Sequence, residues 1–173
     1  MSARLATPDG PTPSQSLSLS PAQVQSLAKR CAPTTPAAVL TSVARVESGF
    51  NPLLIGVNGR RHRVVRAGSI DEAEAAATRL IASGASLDLG LAQINSRNLR
   101  HVGLSVRDAF DPCRNLAAAA QLIDEGYLAA LSHGAPNRPL LQMAYSVYNT
   151  GGSERGMENG YAAKVDAASR DGR

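Results

Sequence analysis

Three helical runs in this chain open on a small polar residue able to cap a helix that stands directly before proline: Ser20-Pro21, Thr35-Pro36 and Asp111-Pro112. Each pair opens a run with apolar residues at helical spacing. A capping side chain satisfies free amide groups of the first turn, and proline at the first helical position loses nothing by lacking one. In "SPAQVQSLAKRC" Gln23 completes a capping box with Ser20, and Val24, Leu27 and Cys31 share one face, so Cys31 is predicted to point toward the core. In "TPAAVLTSVARVES" Thr35 is the predicted cap, Leu40, Val43, Val46 and Glu47 fall on one side, Arg45 falls on the other, and Gly49 stops the run. The segment after Asp111 is the longest, with Leu116, Ala120, Ile123, Tyr127 and Leu131 forming a predicted buried stripe. "SIDEAEAAATRLIASG" adds a helix with Ser69 and Glu72 as a capping box and Gly84 past its end; "PLLQMAYSVYNTGG" adds another, stopped by Gly151 and Gly152.

The other segments are short. "LLIGVNGRRHRVV" reads as a small β-hairpin around Asn58-Gly59, and "LDLGLAQINSRNL" as a short strand or turn entering a short helix. Residues 1–19, rich in Ser, Pro and Thr, are predicted to be disordered, residues 20–168 to form one domain, and residues 169–173 a basic tail. Aromatic residues make up only 3% and Trp is absent, so the core of this 173-residue chain has to come from Ala, Leu, Val and Ile, a composition that favours helix. The predicted fold is mainly α, a single domain with a small β-hairpin.

The net charge of +4 suits an anionic partner such as a cell-wall polymer, a membrane surface or nucleic acid, or is simply a solvated basic surface. Nucleic acid is the poorest fit, because the basic residues lack interleaved aromatics and no reading motif is present. No apolar run reaches the roughly 18 residues of a membrane span. The first residues lack the apolar core of a signal peptide, so export is expected through a signal removed from this chain or by an unconventional route. The histidines, His62, His101 and His133, have no ligand spacing, and Cys31 and Cys113 lie far apart, so no metal or cofactor is expected. The two cysteines are either two buried thiols or a disulfide, which needs an oxidising compartment.

Glu47 is the one acidic residue in "SVARVESGFNPLLIGVNG", residues 42–59. It shares a helix face with Leu40 and Val43 and sits at the helix C-terminus. Burial and the partial negative charge of the helix end both disfavour the anion, so Glu47 is expected to keep its proton near neutral pH. A protonated carboxylic acid in a cleft is what cleavage of a glycosidic bond requires. The alternative is a surface residue at a frayed helix end or a partner for an arginine.

Three separated motifs, "ESGFNP" at 47–52, "DLGLAQINSRNL" at 88–99 and "AYSVYNTGG" at 144–152, occur in the order and rough spacing of one family. The chain, over about residues 20–152, resembles the lytic transglycosylases of the lysozyme-like superfamily. It is most similar to the small ones that accompany type IV secretion and conjugation systems, with "FDPCRNLAAAAQLI" at 110–123 sharing that likeness. The resemblance implies a lysozyme-like (SLT-type) fold. It also implies cleavage of the MurNAc-GlcNAc β-1,4 bond of peptidoglycan with formation of 1,6-anhydroMurNAc, without cofactor, by a periplasmic enzyme. Glu47 matches the single general acid and base, and Ser48 the serine that supports it. Gly90, Leu91, Gln93, Ile94 and Asn95 match the segment lining the glycan cleft. Tyr148 and Asn149 match a pair facing the glutamate, with Tyr145 one turn earlier on the same cleft or in the core. Gln93 can equally stabilise a turn, Tyr148 can be a core tyrosine, and Asn149 can cap a helix. Ala92 departs from the pattern, in which a larger residue, often Met, is usual; that would widen the cleft or weaken a stacking platform while leaving the acid intact. The expected partners are glycan strands and secretion or conjugation components. With an exported protein, a disulfide from Cys31 to Cys113 would tie the first helix to the start of the long one. The rival readings are a lysozyme-type hydrolase with Asp88 positioning water, and a non-catalytic glycan-binding assembly protein.

Overall fold

The computed structural model describes residues 17–59, 63–132, 140–150 and 158–170. The mainly helical expectation holds. The described residues form helices α1 (Pro21–Cys31), α2 (Ala37–Ser48), α3 (Ile70–Ala82), α4 (Pro112–Ser132), α5 (Leu140–Thr150) and α6 (Tyr161–Arg170). They also form strands β1 (Leu54–Val57), β2 (Arg63–Arg66), β3 (Leu87–Leu89) and β4 (Ile94–Asn95). Among them no helix is long and apolar enough to cross a membrane.

The helix starts follow the sequence in most cases. The Ser20 hydroxyl accepts from the Gln23 amide and the Gln23 side chain accepts from the Ser20 amide, a complete capping box. Asp111 caps α4 through the Arg114 amide at 2.8 Å. Two caps differ. Thr35 does not cap α2; its hydroxyl reaches across to Asp124 on α4, and Pro36 occupies the cap position without a side-chain bond. Ser69 accepts from Glu72 as expected, but the Glu72 carboxylate returns to Gly68 rather than to Ser69. Gly49 ends α2 in the left-handed region at φ 58°, where glycine carries no steric penalty.

The predicted hairpin is part of a larger antiparallel sheet of four strands in the order β2-β1-β3-β4. β1 lies inside it and is buried along its whole length, while β2 is an exposed edge. "LDLGLAQINSRNL" therefore holds two strands, pairing Asp88 with Asn95 and Leu89 with Ile94, followed by turns instead of the predicted short helix. Tight turning is possible because Gly90 has φ 76° and its missing side chain leaves room for the Ala109 carbonyl, which a Cβ would approach to 2.1 Å.

The core brings together Val24, Leu40, Val43, Ile55, Leu87, Leu89, Leu116 and Ile123, with alanines where helices come close. α4 packs along α5, and Gly126 allows this, since a Cβ there would meet the Ala144 carbonyl and Val147. That choice corrects the predicted stripe. Leu116, Ala120 and Ile123 are buried, but Tyr127 and Leu131 are 39% and 48% exposed, because the second half of α4 turns its Gly126 and Ala130 side to α5. The chain end also differs from the expected tail boundary: α6 runs to Arg170 and packs on α2 and α5. Leu19 is held at the other end by its amide on the Phe50 carbonyl, within the segment expected to lack order. Residues 1–16, His62, His133, Gly151 and Gly152 lie outside the described residues.

Cys31 and Cys113 form a disulfide, with Cα atoms 5.4 Å apart, that joins the end of α1 to the start of α4. It closes a separation of 82 residues, and loop-closure entropy gives it a stabilisation of about 4.5 kcal/mol. Reduction, or Cys31→Ser, is therefore expected to lower the melting temperature by roughly 10 °C. Calorimetry with and without reductant checks this; an unchanged transition would contradict it.

Candidate active site

A cleft of about 330 Å³ opens beside the end of α2, and Glu47, Asp88, Gln93, Ile94, Asn95, Tyr148 and Asn149 are on its wall. Glu47 is the second-to-last residue of α2 and only partly reaches solvent. Burial raises its carboxyl from an ordinary 4.5 to about 7, the nearby charge of Asp88 pushes the same way, and a hydrogen bond from Tyr161 partly opposes them. The Tyr161 hydroxyl donates to Glu47 Oε1 at 2.5 Å. Its own ionisation is pushed far upward, first by burial and then by Glu47, so it stays a donor.

Ser48 ties the end of α2 to the turn at residues 90–93. Its hydroxyl lies 2.6 Å from the Leu91 carbonyl and 3.1 Å from Ala44, so the single proton goes to Leu91. Gln93 has φ 53°, unusual for a residue with a side chain, and its amide donates to the carbonyls of Gly90 at 2.8 Å and Leu54 at 3.1 Å. The wall between Ser48 and Gln93 is thus a backbone turn held from both sides. Asn115, buried on α4, donates to Leu89 and Ala109 and accepts from the Ala92 amide at 2.7 Å. Tyr148 donates to the Ala92 carbonyl at 2.6 Å; its hydroxyl does not bond Glu47, although its ring lines the cleft.

A polar strip follows. Asp88 accepts from Asn95 at 2.7 Å through one oxygen and from Asn58 at 2.8 Å through the other. Asn95 in turn accepts from the Arg97 amide at 3.0 Å. Asn149 lies inside α5, not at a cap, and accepts from Asn159.

The sequence-predicted residues thus divide. Glu47, Gln93, Ile94, Asn95, Tyr148 and Asn149 meet at one cleft, with Ser48 supporting its wall. Gly90 and Leu91 are buried behind that wall, and Tyr145 is 1% exposed in the core, its hydroxyl pushed up to about 12 by burial. Ala92 is also fully buried, so its small size does not widen the cleft. Tyr161 is the residue that sequence reasoning missed. The signal available was "NGY" at 159–161, where Asn159 accepts from the Tyr161 amide and Gly160, at φ 78°, starts α6. Asp88, Ser86, Arg97 and Asn98 also line the cleft. Among the described residues no group of three or more His, Cys, Asp or Glu side chains is arranged to hold a metal ion.

A carboxyl raised by burial ties stability to pH. The folded state binds the Glu47 proton more tightly than the unfolded chain, so its contribution is full below pH 4.5 and is lost as pH rises through about 7. Relative to Glu47→Gln, the wild type is expected to lose up to about 3 kcal/mol across that window. Denaturant unfolding of both proteins at pH 4 and pH 8 measures the difference; a constant difference would contradict the buried acid.

The family described as "Transglycosylase SLT domain" matches residues 25–169. The chain is 36% identical over 148 residues to the type IV secretion system protein virB1 of Brucella abortus, covering 82% of this chain and 62% of that one. It is 37% identical over 153 residues to protein virB1 of Agrobacterium fabrum, covering 88% and 61%, and 36% identical over 152 residues to protein virB1 of Rhizobium radiobacter, covering 88% and 63%. The chain spans about three fifths of the length of these curated relatives. No solved structure matches it. With the family match spanning most of its residues, the chain belongs to the transglycosylase SLT domain family.

Proposed function

We propose that the protein is a peptidoglycan lytic transglycosylase that opens the cell wall locally for a type IV secretion apparatus. One observation carries the reading: a carboxyl at a helix end, on the wall of a cleft, that keeps its proton up to a pH of about 7. Glu47 gives that proton to the oxygen of the MurNAc-GlcNAc bond as the bond to the anomeric carbon breaks. The acetamido oxygen of the same MurNAc bonds to the anomeric carbon and holds the developing positive charge. Glu47, now an anion that accepts from Tyr161, takes the proton of the MurNAc 6-hydroxyl. The 6-oxygen closes on the anomeric carbon, the acetamido group is released, and Glu47 is protonated again. Water is not consumed, so no second carboxylate is required.

The secretion role rests on the virB1 relatives, one of which is named a type IV secretion system protein. Work in the periplasm accords with the disulfide, which persists in an oxidising compartment. Asp88 on the same cleft supports one rival, a hydrolase in which it positions water. Both of its oxygens already accept amide hydrogen bonds, which favours a structural task.

Product chemistry decides between them. Purified peptidoglycan treated with wild type is expected to release anhydro-muramyl fragments by mass spectrometry, and Glu47→Gln to release none. Reducing-end fragments from wild type would mean a hydrolase; no release would leave a glycan-binding role. A second expectation concerns pH. Activity is expected to fall as pH rises through about 7, and Tyr161→Phe, which removes a bond favouring the anion, to move that fall to higher pH. An unmoved profile would separate Tyr161 from the acid.

A further inference from the structure

The cleft wall carries two carboxyl groups, Glu47 and Asp88, and among its described residues a single cation, Arg97. Its backbone is fixed at the cleft: the Asn95 side chain accepts from the Arg97 amide at 3.0 Å and donates to Asp88 at 2.7 Å. The guanidinium is exposed and forms no ion pair among the described residues, even though Asp88 lines the same cleft. Of the exposed arginines, Arg107 bridges Asp71 and Glu74 and Arg114 pairs with Asp108, whereas Arg97 is the one that lines the cleft. A cleft that carried acidic side chains and no cation would disfavour an anionic polymer. A planar guanidinium, in contrast, presents paired donors suited to a carboxylate.

We infer that Arg97 is a specificity residue that binds a carboxylate carried by the muramyl unit of the glycan. This rests on the transglycosylase reading and narrows it to glycans that carry an acid. Two carboxylates have the right chemistry: the lactyl acid of a muramyl residue without peptide, and the acids of an attached stem peptide. Either lets the enzyme tell a muramyl polymer from an uncharged N-acetylglucosamine polymer of the same length.

The test uses the full chain carrying Glu47→Gln, so that glycan is bound without cleavage. Three tetrasaccharides are titrated calorimetrically: chitotetraose, a GlcNAc-MurNAc tetrasaccharide with free lactyl groups, and the same glycan bearing stem peptides. Adding Arg97→Ala is expected to weaken at least one acidic glycan roughly 3- to 10-fold while leaving chitotetraose unchanged. Arg97→Lys should fall between. The glycan that loses affinity identifies which carboxylate is held. Equal losses on all three glycans, or no loss on either acidic one, would overturn the role of Arg97 while leaving the glycan cleft in place. Absence of binding to every glycan before Arg97 is changed would overturn the transglycosylase reading and this inference with it.

Discussion

The turn at residues 90–93 is the constraint around which the site is built. The Gly90 and Gln93 amides find backbone carbonyls on Leu54 and Gly90, but the Leu91 carbonyl and both groups of Ala92 are satisfied by side chains from elsewhere. Ser48 from α2 reaches Leu91, Asn115 from α4 and Tyr148 from α5 reach Ala92, and Gln93 folds back on Gly90 and Leu54. Three helices and the sheet are thereby locked at one point. Glu47, one residue before Ser48, is placed against that point by the same bond that fixes the turn.

This arrangement gives several polar motif residues a different task from the one their chemistry suggests. Ser48, Gln93 and Tyr148 carry groups suited to sugar hydroxyls, yet each gives a proton to a backbone carbonyl. A rigid wall is the result, and in the proposed reaction rigidity matters for an acid that must meet one oxygen of a long polymer. The enclosed position also explains the acid itself. Burial raises its proton affinity, Asp88 adds to this, and the Tyr161 hydrogen bond opposes them by favouring the anion, which the proposed reaction passes through.

Much of this was legible in the sequence because it is local. Capping residues before proline marked α1 and α4, Gly49 marked the end of α2, and the position of Glu47 followed from helical spacing. What failed depended on contacts distant in the chain. Thr35 looked like a cap until Asp124 offered a partner 89 residues away. Tyr127 and Leu131 fit a helical stripe, but α5 covers a different side of α4. β4 is only Ile94–Asn95, too short for any periodicity, and exists because β3 pairs with it. Tyr161 sits 114 residues from Glu47, and no spacing rule links the two.

The central claim is that Glu47 holds its proton near neutrality because the fold encloses it. The most direct measurement is an NMR titration of the Glu47 side-chain carboxyl carbon, assigned by comparison with Glu47→Gln. The account predicts a midpoint at about 7. A midpoint near the ordinary 4.5 would contradict it, because an ionised Glu47 would have no proton ready for the glycosidic oxygen.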